Sequence, residues 1–156
     1  MDTINAASLR KHGAIVKDRI ARTTAFLERF PLSIFQLLFR LGVASVFLKG
    51  GLTKVASWQS TLQLFIDEYK VPVLPPEVAA TLATIFELGC SSLLIAGLFT
   101  RLATLPLLGM IMTIQLFVYP NAYSEHLVWG SILLFLLMYG AGSYSLDHIW
   151  TVLRGR

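Results

Sequence analysis

The chain alternates between long runs with almost no charge and short gaps that hold most of its Lys, Arg, Asp and Glu. Four runs, Pro31–Leu48, Val78–Phe99, Leu102–Tyr119 and Leu127–Leu146, are long enough to cross a bilayer, which takes about 17–25 mostly apolar residues in helical form. Phe, Ile and Val in these runs would also suit strands. A segment surrounded by hydrocarbon must satisfy its own backbone amides, however, so the runs are read as helices. Short connections around Thr100 and Arg101 and from Pro120 to His126 make consecutive helices antiparallel, which predicts an all-α integral membrane four-helix up-down bundle. Pro106 marks the third run as the one expected to be most irregular.

Two shorter helices are predicted outside the runs. Near the N-terminus, Leu9, Val16, Ile20 and Leu27 fall on one side of a helix with Lys11, Asp18, Arg22 and Arg29 opposite, the pattern of an amphipathic helix lying on the inner leaflet. Lys17, Asp18, Arg19 and Arg22 interrupt the apolar core that a signal peptide would need, so this segment is not expected to be cleaved. Between Gly50 and Glu77, Trp58, Leu62, Phe65, Ile66 and Tyr69 recur at helical spacing, which predicts a short helix at the outer interface. Val71-Pro72-Val73-Leu74-Pro75-Pro76 then ends it. The expected organisation is a basic cytoplasmic-face segment over 1–30, a transmembrane domain over 31–149 and a cytoplasmic tail over 150–156.

Composition narrows the class. The chain is 55% hydrophobic and 14% charged, whereas soluble domains are about a quarter charged. That excludes a soluble enzyme, a disordered tail and a nucleic-acid binder. The net charge of +4 is assigned to anionic lipid, so the membrane and not nucleic acid is the partner. Arg10, Lys11, Lys17, Arg19, Arg22, Arg29, Arg101, Arg154 and Arg156 fall on one side of the four spans, against Lys49, Lys54 and Lys70 on the other, which places both termini in the cytoplasm. Cys90 is the single cysteine and reads as a small packing residue. Met110, Met112 and Met138 have no clustered spacing, and no metal site is expected.

The candidate chemistry lies in charges inside the apolar runs. Such charges are costly and normally face the bundle in pairs. At 1.5 Å per residue, Arg40 lies roughly 13 Å and Glu87 roughly 17 Å above the inner ends of their spans, which predicts that the two meet. Gln36, Thr84 and Ser91 fall on the same faces, and Gln115 and Tyr139 are candidates to close a buried polar seam from the other two spans. This pair either fixes helix register or organises a pocket for a quinone head group, a proton path or a bound solute. Gly89, Ser92 and Ala96 form a small-residue stripe that would allow close helix approach. A second cluster, Lys49, Lys54, Glu125 and His126, is expected at the outer face. At the inner face Arg101 and Asp147 are positioned for a salt bridge, with Ser145 able to cap the residues after it.

Several of these residues together resemble the DoxX family of small four-helix bacterial inner-membrane proteins. They are Arg40, Phe47, Gly51 and Lys54; Glu87-Leu88-Gly89; Leu98-Phe99-Thr100-Arg101; His126; and the stretch from Gly140-Ala141-Gly142-Ser143 through Tyr144-Ser145-Leu146-Asp147. The resemblance spans about Phe30 to Ile149. It implies a four-helix fold and, for some relatives, association with thiosulfate or quinone oxidoreduction, oxidative-stress membrane complexes or copper buffering. The expected role is therefore an accessory subunit of a quinone- or thiol-linked membrane redox process. Such a subunit would have no covalently bound cofactor, with quinone as the candidate small molecule and another membrane or periplasmic protein or a second copy as partner. The competing readings are a scaffold or chaperone for a partner protein and a small-solute or metal-handling transporter.

Overall fold

The computed structural model describes residues 16–25, 28–72 and 74–154. The chain divides into two units between Leu32 and Ser33. In the first, residues 16–25 are helical and exposed, with an Arg22–Asp18 ion pair at 2.8 Å. Val16 and Ile20 of the predicted apolar stripe are exposed, whereas Leu9, Lys11 and Leu27 lie outside the described residues.

Among the described residues the second unit is all helical, with no strand. Its elements are α1 (Leu32–Ala56), α2 (Trp58–Leu64) continued by a π turn (Phe65–Tyr69), α3 (Pro76–Ala96), α4 (Thr100–Thr113) continued by a second π turn (Ile114–Val118), α5 (Tyr123–Tyr139) and α6 (Leu146–Arg154). Three helical stretches, Leu32–Ala56, Pro76–Ala96 and Thr100–Val118, are long and apolar enough to cross a membrane. The fourth, α5, has 17 residues.

The helix limits follow from local chemistry. Pro75 is extended (φ −56°, ψ 143°) and Pro76 occupies the first position of α3, where a missing N–H is harmless. Gly97 ends α3 in the left-handed region (φ 66°), and Leu98 N donates back to Leu93 O at 3.0 Å, the glycine-terminated cap that L-residues with a Cβ adopt only at a cost. Asp147 then accepts from the amides of Phe99 (2.8 Å) and Thr100 (3.1 Å), which satisfies two of the donors exposed at the start of α4. Gly140, with φ 77°, stops α5.

Several boundaries differ from expectation. α1 continues through Gly50 and Gly51 to Ala56, because the two glycines let α3 approach. A Cβ on Gly51 would come within 2.7 Å of Leu88 Cδ2, and one on Gly50 within 3.2 Å of Glu87 Oε1. The predicted stripe of Gly89, Ser92 and Ala96 faces outward instead, with nothing within 4 Å of a Cβ at Gly89. α4 runs through Pro106 without a break, and its irregularity lies at the π turn 114–118. The fourth helix ends at Tyr139, so the boundary expected at 149/150 falls inside α6. Ser145 caps that helix, its hydroxyl accepting from His148 N at 3.2 Å.

One core cluster draws on four helices: Val43, Ala44 and Phe47 from α1, Cys90 and Leu94 from α3, Ala103, Leu107 and Ile111 from α4, and Leu133 and Leu136 from α5. Edge-to-face pairs join α1 to α5, Phe39 with Phe135 at 5.2 Å and Phe47 with Trp129 at 6.3 Å. A second small cluster of Phe65, Ala79 and Ala80 seats the π turn after α2 on α3.

Candidate functional site

The buried charges do not meet each other. Glu87 is held by Lys54, whose ammonium donates to both carboxylate oxygens at 2.8 and 2.7 Å. The two side chains are 18% and 9% exposed. Arg40 points to the opposite end of α3, where its Nη2 donates to Tyr144 O at 2.7 Å and its guanidinium packs against Gly97 so closely that any Cβ there would collide with it. The predicted Arg40–Glu87 pair is thereby corrected. Matching depths were insufficient, because a long guanidinium can reach either way along the helix and follows the carbonyls exposed at chain turns.

The Lys54 end is built as a site. α1 brings Lys54 one turn after Gly50, whose missing side chain makes room for the Glu87 carboxylate, while that of Gly51 makes room for Leu88. Thr61 of α2 donates to Lys54 O at 3.3 Å. Beside the pair lies a cavity of about 360 Å³ walled by Val46, Lys49, Gly50, Thr53 and Lys54 of α1 and by Thr61, Leu64, Phe65 and Tyr69 after it. It joins an apolar and aromatic wall to an ammonium backed by a buried carboxylate. That combination suits a small amphipathic molecule with carbonyl or hydroxyl oxygens.

A polar ladder stands at the far end of α4, organised by its π turn. Gln115 Nε2 donates to Pro120 O at 2.8 Å, which turns its Oε1 toward buried His126 Nδ1 at 2.7 Å. Nδ1 therefore carries the proton. His126 also packs on Trp129, ring centres 5.8 Å apart. Tyr119 donates its hydroxyl to Glu68 Oε1 at 2.5 Å, and its ring meets Tyr69 at 5.8 Å. The hydrogen bond to the Glu68 carboxylate, more than burial, pushes the Tyr119 phenol well above the ordinary tyrosine range.

The remaining expected site residues fall in different places. Gln36 donates to Tyr139 O at 3.1 Å and Gly140 O at 3.3 Å, closing the end of α5 near Arg40. Thr84 and Ser91 turn their hydroxyls back onto Ala80 O and Glu87 O of their own helix, so neither reaches across a seam. The Tyr139 ring is exposed and stacks on Phe135; only its carbonyl takes part. Lys49 lines the cavity, Glu125 is exposed in the first turn of α5, and His126 is buried. The expected outer cluster is thus divided between separate contacts. No Arg101–Asp147 salt bridge forms: Arg101 donates to Met138 O at 3.2 Å, while Asp147 is occupied by the Phe99 and Thr100 amides. Met112 and Met138 are exposed.

Sequence reasoning missed the role of Lys54 as the partner of Glu87, and it gave no contact to Glu68, Tyr119, Tyr144 or Gly97. Lys54 carried a readable signal. It lies seven residues beyond Phe47, two turns along the same face, so continuing the helix past Gly50-Gly51 would have brought it into the bundle.

Comparison with known proteins agrees with the three apolar helices. The DoxX family model matches residues 35–120, which takes in Arg40, Lys54, Glu87 and the α3–α4 turn. No curated protein and no solved structure matches the chain. With three helices able to span a bilayer and a family match over more than half its length, the chain is an integral membrane protein and belongs to the DoxX family.

Proposed function

We propose that this protein is an accessory subunit of a membrane redox process and takes a quinone head group into the cavity beside Lys54 and Glu87. In this reading α5 is a fourth span completing an up-down bundle. Its 17 residues reach about 25 Å, close to the thickness of a thin hydrocarbon core. The asymmetry of Lys and Arg around the spans supports both termini in the cytoplasm of a bacterium, with the cavity at the outer leaflet of the inner membrane.

The observation that carries the reading is the Lys54–Glu87 pair at the wall of an aromatic-lined cavity. An ammonium donates a hydrogen bond to a quinone carbonyl, and the carboxylate behind it can accept and return a proton as the ring takes up protons on reduction. The electrons come from a partner redox protein. This chain contributes binding and proton transfer.

The test uses the full chain in nanodiscs with Trp129 and Trp150 replaced by phenylalanine, leaving Trp58 as reporter at the start of α2, the helix whose Thr61 and Leu64 line the cavity. A short-chain ubiquinone analogue is expected to quench Trp58 saturably, and Lys54→Met with Glu87→Leu, a neutral pair of similar bulk, to weaken binding at least about tenfold, the loss of one charge-assisted hydrogen bond. Helical content reports that this variant is folded. Linear, non-saturating quenching, or equal affinity in the double variant, overturns the proposal.

A further inference from the structure

The last helix carries a largely exposed apolar face. Leu146, Ile149, Trp150 and Leu153 follow helical spacing on one side of α6, and all are 43% to 66% exposed. Asp147, His148, Thr151 and Arg154 occupy the other side. The helix is nine residues long, about 14 Å, far too short to cross a bilayer.

Its position is fixed by hydrogen bonds to the α3–α4 turn. Asp147 N donates to Gly97 O at 2.9 Å, and the Asp147 carboxylate accepts from Phe99 and Thr100. These contacts hold α6 at the level where one apolar helix ends and the next begins, which for two membrane spans is the edge of the hydrocarbon. The exposed ring of Phe99 stands 6.0 Å from that of Trp150, and Leu102, exposed on α4, carries the apolar surface onward along a helix able to span a membrane. Cations flank the same region: Arg154 lies over the Trp150 ring at 4.7 Å, and Arg101 is exposed at the start of α4.

We propose that α6 and Phe99 form a lipid-docking surface, with Leu146, Ile149, Trp150 and Leu153 set among the upper acyl carbons of the leaflet and Arg101 and Arg154 paired with anionic headgroups. The surface continues the lipid-facing side of α4, and the flanking guanidinium groups match the charge of phosphatidylglycerol. Tryptophan and arginine at this depth are the chemistry of the membrane interface.

The experiment uses the full chain with Trp58→Phe and Trp129→Phe, so that Trp150 alone reports, reconstituted into nanodiscs of phosphatidylcholine with and without phosphatidylglycerol. Lipids brominated near the top of the acyl chain are expected to quench Trp150 strongly and lipids brominated near its end weakly, with quenching greater when phosphatidylglycerol is present. Ile149→Ser with Leu153→Ser, both on the exposed face, is expected to remove most of that quenching while leaving helical content unchanged. Water-like Trp150 emission untouched by either lipid overturns the proposal. So does a Trp150 shielded from lipid and from soluble quencher alike whose neighbours cross-link between copies, because a second copy would then cover the face.

Discussion

A double-mutant cycle separates the two possible partners of Glu87 by magnitude. Lys54 Nζ lies 2.7 Å from the carboxylate, with both side chains largely shielded from water. Lys54→Met leaves Glu87 buried without a partner, a change that costs about 3–5 kcal/mol. Glu87→Leu strands the ammonium less severely, since Lys54 lines an open cavity into which its side chain can extend. Both changes together restore a neutral contact and return most of the loss, so the coupling energy is expected to be about 3 kcal/mol. Arg40 gives a different result. Gly97, against which its guanidinium packs, lies ten residues beyond Glu87, about 15 Å along α3. At that distance and an effective dielectric constant near 20 the two charges interact by only about 1 kcal/mol, and the Arg40→Met, Glu87→Leu cycle should couple no more than that. The assay is reversible unfolding in mixed micelles by titration with sodium dodecyl sulfate, followed by far-ultraviolet circular dichroism. Coupling of Arg40 to Glu87 equal to or above that of Lys54 would refute the assignment.

Four other outcomes are expected. Gly97→Ala should cost at least about 1–3 kcal/mol from its left-handed backbone alone, and more from the collision with Arg40, whereas Gly89→Ala, with open space around it, should be neutral or stabilising; the same unfolding assay compares them. Asp147→Ala should lose about 0.5–2 kcal/mol by uncapping α4, while Arg101→Ala, which breaks no ion pair, should change stability by about 0.5 kcal/mol or less. In a spectrophotometric titration Tyr119 should ionise above the ordinary tyrosine range, because its proton is held by Glu68. Its folded-state pKa is raised, so this contact's contribution is complete below the ordinary tyrosine pKa and fades as pH climbs through the folded value. Tyr119→Phe should abolish that late-titrating component.

Three apolar spans and the helix after α1 are legible because hydrophobic period and length need only local sequence. Pro75-Pro76 likewise announced the start of α3. The side-chain partners were not legible for a physical reason. Glycine is unfavourable inside a helix, and only the presence of Glu87 and Leu88 across the contact shows why this one keeps two at Gly50-Gly51. Ending α1 at Leu48 puts Lys54 in a connecting segment and leaves Glu87 with Arg40 as its nearest countercharge. The amphipathic α6 was hidden because its first residue was absorbed into the fourth apolar run. Gly140 and Gly142, each with positive φ, were the marks of that break.

The π turn of Ile114–Val118 holds one residue more than an α turn would, and it packs against the π turn of Phe65–Tyr69. It acts as a phase shifter in the helix. Below it Ala103, Leu107 and Ile111 keep to the core; above it the chain is rotated so that Tyr119 reaches Glu68. Excising one residue from this stretch would close it to an ordinary α turn with the residues beyond it still in phase, whereas inserting one would swing them by about 100°. After an insertion the helix could satisfy its buried half or its tyrosine contact, but not both, so a single added residue here would do more damage than most substitutions at the same positions.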